Sequence, residues 1–258
     1  MSLNIKVRFL QLACHILSIV GIGYIVYSEA YYWIIVSVVS WLILGHICTI
    51  VTLHRLLTHR SFETYPWLER SLSFLSTYST VGPTISWVAL HRMHHANGDK
   101  IYDPHSPYVD GKFNLFQAFK VFIGYDWHIP NIPVKFVKDL LRDPIHKFIF
   151  DNYFKIIFIT LFVLFLVNPL LILYVYCIPV TLLVISIGSV NVLGHGHGYR
   201  NHDTKDFSTN SWIVSLVTLG EGWHNNHHNK PTNYYVGEHW YEPDIMGLFI
   251  KLIKTDDK

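Results

Sequence analysis

Residues 156–190 read IIFITLFVLFLVNPLLILYVYCIPVTLLVISIGSV, and no charged residue interrupts them. A helix that crosses a bilayer needs about 20 apolar residues, so this run is too long for one span and somewhat short for two. Extending it back to about Phe148, with Lys155 reaching along the helix toward the interface, supplies the missing turn. Asn168-Pro169 marks the bend, because proline breaks a helix and restricts the residue before it. The reading is a hairpin of two spanning helices, over about 148–167 and 170–190.

Toward the N-terminus the pattern repeats. An apolar stretch over about 9–27 follows Lys6 and Arg8. It is too long for a signal-peptide core and has no obvious small-residue cleavage site, so it reads as a retained helix. A second stretch covers about 31–53, and only Ser28-Glu29-Ala30 separates the two. Composition agrees: of 258 residues, 51% are apolar and 15% charged, against about 25% charged in a soluble domain. The expected class is an all-α integral membrane protein, with four transmembrane helices in two hairpins and a helical cap over about 54–147 and 191–258, forming one domain over 1–258. Neither hairpin turn carries Lys or Arg. The positive-inside rule therefore puts the cap and both termini on the cytoplasmic side, of a bacterial inner membrane or the endoplasmic reticulum. Residues 65–90 are aromatic and hydroxyl-rich around Gly82-Pro83, and read as an interfacial or re-entrant helix pair.

The formal net charge of +2 gives no electrostatic footprint for nucleic acid. Cys14, Cys48 and Cys177 sit in apolar runs without a CxxC, which excludes a disulfide framework or a zinc–thiolate site. Histidine is the unusual count, at 17 against 20 Lys and Arg. The cap holds three clusters: His54-Arg-Leu-Leu-Thr-His59, His91-Arg-Met-His94-His95 and His224-Asn-Asn-His227-His228. The last two share the pattern HxxHH, which on a helix puts all three imidazoles on one face. His54 and His59 are five apart, off one face of an α-helix, so they face two ions or the helix ends there. Eight imidazoles are too many for one zinc, which takes four ligands. Two ions fit better, and imidazole suits zinc, copper, iron and nickel alike.

The set HxxxxH, HxxHH, HxxHH resembles the membrane fatty acyl desaturases, meaning the delta-9 (stearoyl-type) enzymes and their cyanobacterial and plant acyl-lipid relatives. Residues 54–62 read HRLLTHRSF, 83–107 PTISWVALHRMHHANGDKIYDPHSP, 191–199 NVLGHGHGY and 220–228 GEGWHNNHH, each similar to a family element and in the family's order. The resemblance implies a di-iron centre held by His54, His59, His91, His94, His95, His195, His224, His227 and His228, with Asn191 holding a further position through water. His197 is left out, as that position is generally not a ligand in the family. Asp99, Glu221, Asp103, Asn225 and Asn226 lie beside ligands and are candidates to orient them. His15 and His46, inside spans, read as neutral groups bonded to neighbouring helices. His105 reads as support in the DPHSP turn, and His128, His146, His202 and His239 as surface or interface residues.

The resemblance further implies dioxygen-dependent desaturation of a long-chain fatty acyl substrate, at delta-9 of C16 or C18 chains. The hard chemistry would belong to the cofactor. Aromatic and apolar residues of the spans and of 65–90, Trp87 among them, are the expected substrate lining. The chain has no dinucleotide fingerprint and no cytochrome b5 sequence, so two electrons must come from ferredoxin or cytochrome b5 on a separate chain. Arg55, Arg60 and Arg92 are candidates to dock that donor or the headgroup, or to serve structure. Animal acyl-CoA enzymes carry Arg-Asp just before the second histidine box, where this chain has Ala89-Leu90. That favours an acyl-lipid or acyl-carrier substrate over acyl-CoA. The alternatives are a membrane di-iron hydroxylase of acyl or alkane chains and, from another class, a non-enzymatic metal carrier.

Overall fold

The computed structural model describes residues 3–125 and 133–255. Four helices are long and apolar enough to cross a membrane. They are α1 (Leu3–Ser28), α2 (Tyr32–Trp41, continued by a wider-wound stretch Leu42–Thr58), α6 (Pro144–Val167) and α7 (Ile178–Leu193, preceded by a wider-wound Ile172–Cys177). The third span starts before the expected Phe148. Asp143 accepts a hydrogen bond from the Ile145 amide at 3.0 Å and Pro144 takes the first helical position, both helix-starting devices. It ends at Val167, and Asn168 lies in extended conformation with its side chain accepting from the Leu170 amide at 3.0 Å. The bend is therefore where Asn168-Pro169 placed it.

Both α1 and α2 pack on the fourth span. Cys14, Cys48, Ile149, Tyr153, Val180 and Leu183, drawn from all four spans, share one buried cluster. The outward sides of α1 and α6 expose Phe9, Ile16, Ile19, Phe158, Phe162 and Leu166, as a lipid-facing surface requires. Several polar groups inside the bundle find partners on neighbouring helices, as hydrocarbon favours. His15 Nδ1 lies 3.0 Å from Thr181 Oγ1, His46 Nε2 lies 3.2 Å from the Val217 carbonyl, and the Tyr174 hydroxyl donates to the Gly21 carbonyl. Both histidines are thus bonded to neighbouring helices, as read from the sequence.

The stretch Leu42–Thr58 is π-wound, with hydrogen bonds that reach five residues back. The hydroxyls of Thr49, Thr52 and Thr58 donate to the carbonyls of Leu44, Ile47 and Leu53, and the His59 amide donates to the His54 carbonyl at 3.2 Å. In this winding residue i+5 stands one turn above residue i. The helix also runs to Thr58, beyond the expected end near 53, so His54 lies inside it.

The cap gathers where the second and fourth spans end. It contains α3 (Pro66–Leu75), a tight turn Ser76–Ser79, α4 (Thr84–Asn97), a two-stranded hairpin pairing β1 (Tyr108–Val109) with β2 (Lys112–Phe113), α5 (Leu115–Phe122), α8 (Trp212–Thr218), α9 (His224–Asn229) and α10 (Ile245–Ile253). Residues 65–90 thus form a helix pair, with a left-handed Thr80 (φ 61°) between α3 and α4. Leu53, Leu56, Leu57, Phe62, Val88, Leu140 and Ile250 form the cap core. The close approach of α5 to α7 depends on Gly188, where a Cβ would stand 2.1 Å from the Phe122 carbonyl oxygen.

Candidate metal centre

Nine imidazoles collect in two groups. His54, His59, His91, His95 and His227 form one, and His94, His195, His224 and His228 the other, and within each group the candidate ligand atoms lie within 4.8 Å of one another. The local folds explain the sorting. The π-winding before His59 sets it beside His54, with ring centroids 4.9 Å apart, which resolves the five-residue spacing in favour of one shared group. On α4, His91 and His95 point to the first group and His94 to the second. On α9, His227 serves the first group, His224 and His228 the second. His195 stands just past the end of α7.

Backing groups orient the rings. Glu221 Oε2 lies 2.6 Å from His54 Nδ1, Asp103 Oδ1 2.9 Å from His94 Nδ1, Asp99 Oδ2 2.7 Å from His195 Nδ1, and Asp206 Oδ2 2.8 Å from His228 Nδ1. A carboxylate there accepts the Nδ1 proton and leaves Nε2 as a bare acceptor. The Nε2 atoms then face one another, at 3.0 Å for His54–His227 and His195–His224 and 3.1 Å for His91–His95 and His95–His227. Nε2 of His59, His94 and His228 is buried with no hydrogen-bond partner. Crowded Nε2 atoms, of which those of His54, His94, His195 and His228 are left as bare acceptors by the carboxylates on Nδ1, fit a cation. Ligands about 2.1 Å from an ion sit about 3.0 Å apart at right angles and about 3.4 Å apart at tetrahedral angles. The observed spacing matches the first case, and five imidazoles in one group exceed a tetrahedral set.

The electrostatics agree. Burial first, then the neighbouring imidazoles, hold His59, His91, His95, His224, His227 and His228 well below the ordinary histidine pKa. They are neutral near pH 7, the form that binds metal. Burial pushes the Glu221 carboxyl up, but His54 and Arg55 outweigh it and hold it at about 2. Arg55 is fully buried, and bonds Glu221 at 2.5 Å, Asp244 at 2.7 Å and the Tyr234 carbonyl at 2.7 Å. It therefore positions Glu221 and is not available to dock a donor. Arg92 donates to the Leu57 and Thr58 carbonyls that end the second span and to both oxygens of Asp139.

Other candidates fall in different places. Asn191 is buried on the last turns of α7 with its Nδ2 unpartnered. Asn225 touches no ligand-type ring through its side chain. Its oxygen accepts from the Asn201 and His202 amides, so it holds the α9 loop, and Asn226 bonds Asn210 and Glu242 to the same end. His197 is exposed and outside both groups. His105 is buried beside His94, and its amide donates to Asp103. His146 is buried against Thr84 where α6 meets α4, so of the surface or interface reading the interface holds. His202 pairs with Glu238 and His239 stacks on Tyr241, while His128 lies outside the described residues. Asp206 and Asp244 were not among the sequence candidates. Asp206 lies in no histidine motif and carried no signal. Asp244 carried one, an acidic residue just before the apolar α10, the pattern of a helix cap.

A narrow cavity with apolar walls leads from this centre between α2 and α7. His54, His91, His224, Glu221 and Asn191 line its inner end, Thr49, Ile50, Trp87, Leu90 and Val190 its walls, and Trp41, Gly45, Leu183 and Ile187 its far end. Trp87 stacks on His91, centroids 5.1 Å apart, so it faces both the cavity and the centre.

The family model described as fatty acid desaturase matches residues 32–242. Over 224 residues the chain is 33% identical to sn-1 stearoyl-lipid 9-desaturase of Anabaena variabilis, covering 85% of this chain and 79% of that protein. It is 35% identical over 222 residues to sn-2 palmitoyl-lipid 9-desaturase of Nostoc sp. (strain 36), covering 83% and 75%. Acyl-CoA 5-desaturase AL21 of Anemone leveillei is 30% identical over 239 residues, covering 88% and 70%. With its histidine clusters gathered at the end of a four-span helical bundle, this chain belongs to the fatty acid desaturase family and is an oxidoreductase of fatty acyl chains.

Proposed function

We propose that the chain inserts one double bond at the delta-9 position of a C16 or C18 acyl chain carried on a lipid, using dioxygen and two electrons from a separate protein. The observation that carries this reading is the cavity: an apolar slot between two spans that ends against a buried double cluster of imidazoles. The lipid carrier is supported by the names of the two cyanobacterial relatives and by Ala89-Leu90 before the second box. The cap and termini are assigned to the cytoplasmic side by the distribution of Lys and Arg.

In this reading two irons are held, one by His54, His59, His91, His95 and His227, the other by His94, His195, His224 and His228 with Asn191 through water. Once bound, they supply the oxidant that an unactivated methylene needs and no side chain can provide. The residues do the rest. Glu221, Asp103, Asp99 and Asp206 hold Nδ1 protons so that each Nε2 points inward. Trp87, Ile50 and Leu90 keep the acyl chain extended and water out. The floor at Trp41 and Gly45 sets how far the methyl end enters, and hence which carbons stop beside the centre.

Metal analysis of the purified protein tests this reading. The expected result is two irons per chain, abolished product in His195→Ala, and retained product in His197→Ala. One zinc per chain without iron, or equal loss in both variants, contradicts it.

A further inference from the structure

One cap element beside the slot belongs at bilayer depth. α8 packs on the fourth span, and its Val217 carbonyl lies 3.2 Å from His46 Nε2 on the second. That second span covers 27 residues, Tyr32–Thr58. Hydrocarbon takes about 20 of them, and any stretch of that length inside the span includes His46. The last turn of α8 therefore stands below the membrane surface. Its sequence suits that place. No Asp, Glu, Lys or Arg occurs from Phe207 through Gly220. The side chains of Trp212, Ile213, Leu216 and Val217 are turned outward, with Ile213 75% and Leu216 77% exposed. The chain turns back at Leu219 with its polar groups bonded: the Gly220 amide donates to the Ser215 carbonyl at 3.1 Å, and the Leu219 carbonyl accepts from the Met246 amide at 3.1 Å. Backbone at hydrocarbon depth has to be satisfied in this way.

The inner side of α8 belongs to the site. Val214, Ser215 and Thr218 are buried, and Thr218 lines the slot. Gly222 of the third histidine box lies so close that a Cβ there would stand 2.1 Å from the Ser215 amide nitrogen. At Val217 the two sides meet. Its side chain is 42% exposed, while its carbonyl bonds the His46 ring that lines the slot. The wall between slot and exterior is one residue thick there. Ile43, three residues before His46 on the second span, and Leu193 on the fourth are exposed as well, so this face continues the lipid-facing surface of the bundle. We propose that α8 lies in the bilayer leaflet on the cap side, and that the acyl chain of a membrane phospholipid enters the slot sideways past Val217, its headgroup staying among the other headgroups. The proposal rests on the functional reading above and names the route by which the substrate arrives. A lipid-borne chain then never leaves apolar surroundings, and the hydrophobic cost of crossing water does not arise.

Photolabelling of the purified full chain, in nanodiscs of phosphatidylcholine that carries a diazirine on its acyl chain, tests the proposal, with adducts located by peptide mass spectrometry. In the wild-type chain adducts should fall on Ile213 or Leu216 and on the slot residues Thr49, Ile50 and Leu183. None should fall on Asp203, whose side chain is fully exposed in the cap. Val217→Trp should lower the slot adducts at least about fivefold, the lower end of what overfilling a packed space costs. Adducts on Ile213 and Leu216 should persist, with an unchanged melting temperature. Val217→Phe, a smaller intrusion, should lower the slot adducts about threefold, which keeps the test open if the tryptophan variant does not fold. The proposal is overturned if Ile213 and Leu216 carry no adduct, if the slot carries none in the wild-type chain, or if both Val217 variants keep full slot labelling. Because labelling needs no turnover, absence of product would sink the functional reading and leave this result standing. Product from a chain whose Val217 variants label normally would sink this route alone.

Discussion

Arg55 follows His54 directly, and its buried guanidinium joins the C-terminal segment to the centre through Glu221 and Asp244. Removing one member of a buried ionic set leaves the others unpaired, which typically costs about 3–5 kcal/mol. Arg55→Ala should therefore lose most of its folded yield in detergent, read as a lowered melting temperature. Arg55→Lys should rescue it only in part, because an ammonium cannot reproduce the forked contacts to both carboxylates. A softer change separates orientation from folding. Asp206→Asn should leave the melting temperature nearly unchanged while lowering iron affinity about 10–100-fold, the usual range for a residue that orients a ligand. An unchanged metal titration would show that His228 needs no such partner. At this scale the histidine spacings were readable because ligation demands residue type and helical phase together. Asp206 was not, since a carboxylate far away in sequence reveals its partner only after folding.

Among the elements, the second span departs furthest from expectation. Apolar length announced the helix, but length says nothing about winding, and the five-residue separation of His54 and His59 left two arrangements open. The π-winding gives a third: the helix runs on through His54 to Thr58 and both rings join one group, and the threonine hydroxyls bonded five residues back are part of how it is sustained. The far end of the cavity lies on the same element. A Cβ at Gly45 would meet the Trp41 ring at 3.2 Å, so a larger side chain must push Trp41 or fill the slot. Gly45→Leu should shift products toward shorter acyl chains, seen as a higher C16:1 to C18:1 ratio. An unchanged ratio would remove this floor from the account. On the fourth span, Gly188→Ala should displace α5 and lower the melting temperature by several degrees, as overpacking of about 1–3 kcal/mol implies.

For the whole molecule, four spans in two hairpins could be read from apolar runs and one Asn-Pro bend, because the bilayer imposes a length rule that a single sequence can show. How the cap closes could not be read. Its segments meet through Arg55, Asp99, Asp206 and Glu242, contacts between residues far apart in the chain. Its orientation can be tested by single cysteines in a cysteine-free background. A cysteine replacing an exposed cap residue such as Ser71 should be shielded from an impermeant maleimide in intact cells, and one at Glu29 should be labelled; the opposite pattern would invert the topology. The chemistry itself is read from the product. The chain should be expressed in a desaturase-deficient host that supplies a lipid substrate and reductant, and the fatty acid methyl esters analysed by gas chromatography with mass spectrometry after derivatisation of double bonds. A new monoene should appear with its double bond at delta-9 in C16 or C18 chains of the membrane lipids. A hydroxylated chain with no alkene would contradict it.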